Sequence, residues 1–384
     1  MGTWTFPHTP TPPDWTVNWD AIERRFLWIQ ALAGVPQEMA HHAEGDVLVH
    51  TRLVAEALVA LDEWRALEPE PRGLLFAAAL LHDVAKPFRT QIELDGRIAS
   101  PGHAQAGACL AHYLLWASAG LDTPAPFLWR EAVTRLVRHH GLPLWFLAKT
   151  DPRCAVIAAS QRARLDRIAL LAEADVRGRV STDQQELLDR ITLFRTCGEE
   201  LSCFTSPYAF ASDHSRFVYF TSVPSARTPA DPARAAYDDT VCEVVLLSGL
   251  PGAGKDTWLG RHRPDWPVVS LDALRRELHI LPDANQGAVV QEAKARARDL
   301  LRRQQSFVWN ATNVTRTLRA QLIALFAAYH ARIAIVYLDA PHDILLARNR
   351  ARPHPVPEAV IDRMARRLEI PDPTEAHTVE WVYQ

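Results

Sequence analysis

The sequence predicts a multidomain α + α/β chain, in which an all-α domain precedes a parallel sheet flanked by helices. Three observations lead there. From Trp19 to about Arg195, Ala, Leu and Arg dominate and apolar residues recur at three- and four-residue spacing. Beyond an aromatic, serine- and proline-rich break, short apolar runs alternate with helical stretches, the pattern of strands linked by crossover helices. The first of those runs, Val244 to Ser248, opens into a glycine-rich turn that ends in lysine. At 384 residues the chain exceeds the usual size of one core, and 48% hydrophobic with 23% charged residues excludes bulk disorder.

In chain order, residues 1–18 are proline- and threonine-rich and read as an extended N-terminal arm. Residues 19–195 form the helical domain, with breaks near Pro36, Pro69-Pro71, Pro101-Gly102 and Gly141-Leu142-Pro143. Residues 196–239 read as a connector with one β-like piece from Arg216 to Ser222. In 240–384 strands are expected at Val241 to Ser248, Pro267 to Leu271, Phe307 to Asn310 and Ile333 to Leu338.

The turn Gly249-Leu250-Pro251-Gly252-Ala253-Gly254-Lys255-Asp256-Thr257 is a phosphate loop, or P-loop. Its glycines let backbone N–H groups converge on phosphates, Lys255 adds a point charge near the β and γ groups, and the following helix offers its positive end. The implied ligand is ATP or another nucleoside triphosphate with Mg²⁺. Position 256 departs from the common pattern by placing Asp256 where a Ser or Thr holds magnesium. Either Asp256 ligates the ion, directly or through water, or Thr257 takes over.

The second strand ends at Leu271-Asp272, where a carboxylate faces the γ-phosphate side of the cleft and can accept the proton of an attacking hydroxyl. Arg275 lies one helical turn on, placed to hold a phosphate of the acceptor. Farther along, Arg348, Arg350 and Arg352 precede a proline-rich turn, suited to close over the triphosphate as a lid.

In the helical domain His50, His82-Asp83, His103, His139-His140 and Asp175 combine neutral imidazoles with carboxylates, the ligand set for one or two divalent ions of Mn, Fe, Co, Ni or Zn. A metal pair generates hydroxide and polarises a phosphate ester, which is hydrolysis without a covalent intermediate. Lys86, one turn after His82, is placed to steady the phosphate. The remaining histidines His8, His41, His42, His112, His214, His262 and His354 read as solvent or core residues. The twelve tryptophans invite a base-stacking reading, but the bland reading of each is core, as the helix-like spacing of Trp19 and Trp28 indicates; Trp145 and Trp258 are the better stacking candidates among them only because they adjoin the two candidate sites.

The phosphate loop, Asp272-x-x-Arg275, the strand end Asn310-Ala311-Thr312-Asn313 and Arg348 with Arg352 together resemble 5′-hydroxyl polynucleotide kinases of the P-loop class. The resemblance implies Lys255 on the β and γ phosphates, Asp272 as general base, Arg275 on the phosphate beside the acceptor nucleoside, and Arg348 and Arg352 on ATP. The histidine order resembles the HD phosphohydrolase superfamily. That implies one metal on His50, His82, Asp83 and Asp175, and a second on His103 with His139 or His140. Joined, the two halves resemble the bacterial HD-Pnk family of RNA end-healing enzymes. This implies removal of 2′,3′-cyclic and 2′- or 3′-phosphates by the HD half and phosphorylation of 5′-hydroxyl ends by the kinase half. The partners so implied are single-stranded or nicked RNA or DNA ends and, functionally, an RNA ligase that seals them.

Two other readings of the same residues are a nucleotide-metabolism enzyme, pairing an HD nucleotidase with a small-metabolite kinase, and an HD hydrolase gated by ATP. A net charge of −3 means that any nucleic acid binds a local patch. Val245 to Gln384 supplies one, with 19 Lys plus Arg against 15 Asp plus Glu, nearly all of the cations arginine. Cys109, Cys154, Cys197, Cys203 and Cys242 show no zinc spacing and no C-x-x-C pair, as expected of reduced cytoplasmic thiols in a chain without a leader. Every apolar run is interrupted by a charged or histidine residue, so no membrane association is expected.

Overall fold

The computed structural model describes residues 4–221, 231–281 and 284–383. The chain divides into two compact units, Met1–Ala209 and Phe210–Gln384.

The first unit is built on the helices Val47–Ala60, Pro69–Leu81, His103–Trp116, Phe127–His139, Leu165–Arg177 and Gln184–Glu200. Pro69–Leu81 is its centre. It starts with proline where no intrahelical N–H is needed, and every residue from Gly73 to Leu81 is buried. A helix apolar on all faces belongs inside a bundle, and this one ends at His82, which delivers that imidazole to the core. Val47–Ala60 is started by the Asp46 carboxylate, which accepts from Val49 N at 2.9 Å.

Three features differ from the sequence expectation. Residues 4–18 are irregular, but they are anchored and do not extend away as an arm. Phe6 is buried and stacks on Phe26 at 5.3 Å, and Trp4 and Trp15 pack on the same core, because aromatic rings this large gain more from burial than proline-rich backbone loses by ordering. Residues 1–3 lie outside the described residues. The domain is also not purely helical, since β1 (Gln91–Ile92) and β2 (Ile98–Ala99) pair antiparallel around a turn at Asp95-Gly96. Finally, the last helix runs past residue 195, and buried Cys203 with Phe204 packs back on the core, so residues 196–209 belong to this unit.

In the second unit the expected β-like piece is a helix, Asp213–Thr221. Its aromatic content suggested a strand. The Ser212 hydroxyl caps its start by accepting from Ser215 N at 3.0 Å, and Phe217 stacks on His377 at 4.0 Å, so tertiary packing overrides propensity. Ser222, the end of that piece, lies outside the described residues with the rest of 222–230.

The sheet is parallel throughout: β3 (Cys242–Ser248), β4 (Val268–Ser270), β5 (Phe307–Asn310), β6 (Ala331–Leu338) and β7 (Thr378–Val382) lie in the order β4-β5-β3-β6-β7. The fifth strand, β7, was not expected. It is half-exposed at the edge, which leaves a weak apolar signal. β3 is central and buried from Val244 onward, and the strands that follow it lie first on one side (β4, β5) and then on the other (β6, β7), so the loop at its carboxyl end opens at the switch point where such sheets bind ligands.

Candidate phosphate and metal sites

The phosphate loop sits between β3 and the helix Lys255–His262. Gly249 (φ +143°) and Gly252 (φ +86°) adopt backbone that other residues rarely reach. A Cβ on them would lie 2.6 Å from Leu338 O and 2.7 Å from Leu345 O, so both glycines are also required for close packing. Lys255 Nζ donates to Gly249 O at 2.8 Å and Leu250 O at 2.9 Å, folding back on its own loop. Burial pushes its ammonium down to about 8, against the pull of Asp256 and Asp272.

The loop after β5 braces this cradle. Asn313 Nδ2 donates to Leu247 O at 2.6 Å, Ser248 Oγ donates to Asn313 O at 3.1 Å, and Gly249 N donates to Thr312 O at 2.9 Å. Behind it, Arg319 is buried and forks onto Glu375 at 2.8 and 2.9 Å while donating to Asn313 O at 3.0 Å. The Asn310-to-Asn313 element singled out in the sequence is therefore the phosphate loop's support, and Asn310 Nδ2 also holds Asp256 Oδ1 at 2.7 Å.

A cleft of about 520 Å³ brings Lys255, Asp256, Asp272, Arg275, Arg348 and Arg352 together, with Gly252, Gly254 and Thr257 in its floor. Asp272 stands open to it, its side chain 66% exposed, and pairs with Arg275, whose Nε donates to Gln286 Oε1 at 2.8 Å. A second cleft of about 410 Å³ includes Ala253, Thr257, Leu338, Asp339 and Arg348. Trp258 lines it but is buried and stacked on His262 at 4.7 Å, so its ring face is already occupied.

In the first unit the candidate ligands converge from distant positions. His50 Nε2 lies 3.3 Å from His82 Nε2, 3.2 Å from Asp175 Oδ1 and 3.8 Å from Asp83 Oδ2, and His82 Nε2 lies 3.3 Å from Asp83 Oδ2. On the other side of Asp83, His103 Nε2 is 3.6 Å from Oδ1, and the His140 ring lies 5.2 Å from that of His82 and 5.5 Å from that of His103. Asp83 thus stands between two groups of potential ligands, as a bridging carboxylate does. Of the adjacent pair it is His140 that joins them. His139 is buried and lines the same cleft, but is in neither group.

The donor set fits divalent cations. His82, His103 and His140 each place Nδ1 at 2.7 to 2.8 Å from the carbonyl three residues back, Ala79, Ser100 and Val137. A carbonyl only accepts, so each Nδ1 carries the proton and each Nε2 presents a lone pair to the cluster. His50 Nδ1 lies 2.8 Å from the Glu44 carboxylate, whose charge favours the same tautomer although the two groups are not aligned as a hydrogen bond. Asp83 Oδ1 is buried without a hydrogen-bond partner, an orphan that a cation satisfies.

The field agrees. Burial opposes charge on Asp83, yet Lys86 at 2.7 Å and His82 hold its carboxyl well below the usual range. Arg179 does the same for Asp175 through a fork at 2.6 and 3.0 Å. Burial, then neighbouring His82 and His103, pushes His140 down to about 3, which keeps it neutral.

Several residues here escaped sequence reasoning. Arg179 follows Asp175 by one turn beyond the helix end, a spacing that gave a usable but ordinary signal. Gln37 accepts from Lys86 Nζ at 2.6 Å. His42, expected in solvent or core, lines the cleft with its ring 4.7 Å from His50, and Glu44 holds both imidazoles. These come from the irregular segment before Val47, where no periodicity reports which side chains turn inward.

Residues 47–175 match the HD domain family, and residues 244–371 match a family described as an AAA domain. Among curated proteins, a multifunctional CCA protein of Halorhodospira halophila (strain DSM 244 / SL1) is 39% identical over 87 residues, 23% of this chain and 18% of that protein. An L-seryl-tRNA(Sec) kinase of Methanococcus maripaludis is 22% identical over 135 residues, 33% of this chain and 53% of that protein. The chain therefore spans less than two thirds of either relative. A gluconokinase structure from Sinorhizobium meliloti 1021 aligns with TM-score 0.28 at 20% identity, covering 38% of this chain and 83% of that one. Among the described residues no helix is long and apolar enough to cross a membrane. The chain joins an HD domain, carrying a candidate site for divalent metal, to a P-loop domain with a parallel five-stranded sheet.

Proposed function

We propose that the chain is a bifunctional nucleic-acid end-healing enzyme, which phosphorylates 5′-hydroxyl ends with ATP and hydrolyses 2′,3′-cyclic and 2′- or 3′-phosphate ends, leaving termini that an RNA ligase joins. The observation that carries the kinase reading is the open carboxylate of Asp272 in one cleft with Lys255, Arg275, Arg348 and Arg352. A metabolite kinase and a polynucleotide kinase share the phosphate loop; a cationic side chain beside the base favours an acceptor that carries phosphate.

In this reading Lys255 leaves its loop carbonyls for the β and γ phosphates, and Arg348 and Arg352 neutralise charge on the transferring group. Arg275 exchanges Asp272 for the acceptor's phosphate, which frees the carboxylate to take the proton of the 5′-hydroxyl as that oxygen attacks γ-phosphorus and the bond to the β,γ-bridging oxygen breaks, releasing ADP. Asp256 or Thr257 is placed for Mg²⁺ beside the triphosphate.

In the HD half, His50, His82, Asp83 and Asp175 would hold one divalent cation, and Asp83, His103 and His140 a second. When bound, such ions supply Lewis-acid polarisation of the ester and lower the pKa of water. Lys86 and Arg179 line the same cleft, fixed by Gln37 and Asp175, and steady the anionic phosphate. One relative bears a tRNA-related name, an L-seryl-tRNA(Sec) kinase, and this supports RNA as the substrate class.

The test is incubation of an RNA carrying 5′-hydroxyl and 2′,3′-cyclic phosphate ends, with and without ATP, across Mn²⁺, Co²⁺, Ni²⁺, Zn²⁺ and Mg²⁺. The expected result is ATP-dependent 5′-phosphorylation and ATP-independent loss of the terminal phosphate. Transfer of γ-phosphate to free sugars or nucleosides but not to the RNA would replace the reading with metabolite kinase.

A further inference from the structure

Trp145 has an environment that packing does not explain. It ends the one-turn helix Leu142–Trp145, which begins two residues after His140. Its neighbours Pro143, Leu144 and Phe146 are buried, whereas Trp145 is 47% exposed, and among the described residues no other tryptophan is classed as exposed. An indole left in water forfeits one of the largest burial gains a side chain offers.

The exposed ring is also held in place. The Arg190 guanidinium carbon lies 5.0 Å from its ring centroid, and Arg190 is itself fixed by Glu186 at 2.5 Å and Leu144 O at 3.2 Å. The ring lines the cleft of about 540 Å³ that contains Asp83, His103 and His140, and Lys149 and Arg162 line it too. A volume of that size accepts a nucleotide. A rigid aromatic ring, a basic wall and a phosphate-seeking cluster in one cleft match the three parts of a nucleotide end: base, backbone and terminal phosphate.

We infer that Trp145 is the stacking platform for the base of the terminal nucleotide whose phosphate enters the HD site, so that this site selects nucleotide ends over other phosphate esters. The inference rests on the end-healing reading and assigns its HD half a specificity residue. Trp145 touches the base and takes no part in the chemistry.

The test compares an oligoribonucleotide ending in a 3′-phosphate with an identical one whose last nucleotide is abasic, using the full-length protein in Mn²⁺. Trp145→Leu, which keeps apolar bulk without a ring, is expected to lower kcat/KM on the normal end by about tenfold or more, mostly through KM. Trp145→Phe retains most activity. Wild type loses a similar factor on the abasic end, and Trp145→Leu loses no more there, since the two changes delete one contact. As a readout apart from turnover, a terminal 2-aminopurine next to a non-hydrolysable 3′-methylenephosphonate is quenched on binding wild type and not on binding Trp145→Leu. Equal discrimination between normal and abasic ends by wild type and Trp145→Leu, in a wild type that hydrolyses both, overturns this inference alone. A wild type inert on both oligonucleotides overturns the end-healing reading and this inference with it.

Discussion

Replacing Glu44 by Gln probes how the HD site is organised at a position outside the candidate ligand set proposed above. The Glu44 side chain is buried, with Oε1 2.8 Å from both His42 Nδ1 and His50 Nδ1 and Oε2 accepting from Val180 N at 2.9 Å. Burial alone would raise its pKa, but the two imidazoles and the Val180 N–H hold the carboxyl far below its ordinary value, so it is an anion that favours His50 with Nε2 toward the cluster. An amide keeps one acceptor and turns the other into a donor, so either Val180 N–H or the two imidazole N–H groups face an NH₂. Losing a hydrogen bond to a charged acceptor costs about 1.5–3 kcal/mol, which is about 10–100-fold in the affinity of an ion that depends on the His50 tautomer. Calorimetric titration of Mn²⁺ into metal-stripped protein measures it, with His82→Ala as the weakened control. A Glu44→Gln protein of native fold that binds Mn²⁺ within threefold of wild type refutes the account of how His50 is oriented.

Three further outcomes are expected. Arg319→Met leaves Glu375 buried with Arg316, 3.6 Å away, as its remaining ion-pair partner among the described residues, and should destabilise the second unit by about 3–5 kcal/mol in urea unfolding. Arg319→Met combined with Glu375→Gln should recover much of that loss; no recovery would mean that packing, not charge, sets the cost. His377, buried first of all and then disfavoured by Arg332 and His214, is lowered from 6.5 to about 4, so the folded state binds its proton less well than the unfolded chain. Its contribution is present above pH 6.5 and is lost as pH falls toward 4, whatever the facing Asp238 and Asp213 offset; a denaturation midpoint flat between those values, in a domain that retains the His214–His377 contact, contradicts this. Asp256→Ser should retain ATP binding but shift the Mg²⁺ dependence of transfer, and an unchanged magnesium titration would argue against a ligand role for Asp256.

The P-loop domain was legible because its chemistry is local. Gly249 to Thr257 is contiguous, and Asp272 and Arg275 sit at a strand tip and one turn beyond, so spacing alone brings each to the cleft. The candidate HD ligands were legible only by type and order. Nothing in the spacing of His50 and His82 says that their Nε2 atoms meet at 3.3 Å, and His139 could not be told from His140, because neighbours on a helix end differ only in direction. What escaped was irregular or driven by tertiary contacts. Glu44 and His42 precede the first long helix without periodicity, and Asp213–Thr221 is helical against its aromatic composition because Phe217 packs on His377. Trp145 could be placed beside a site but not shown to be exposed until its buried neighbours were seen.

In the reading proposed here each unit carries its own phosphorus chemistry. The decisive measurement assays Lys255→Ala, Asp272→Ala, His82→Ala and Asp83→Ala on one RNA with a 5′-hydroxyl and a 2′,3′-cyclic phosphate. A crossover is expected, in which the first two variants lose 5′-phosphorylation and keep terminal phosphate removal, and the last two do the reverse. Loss of both activities in all four well-folded variants would contradict it.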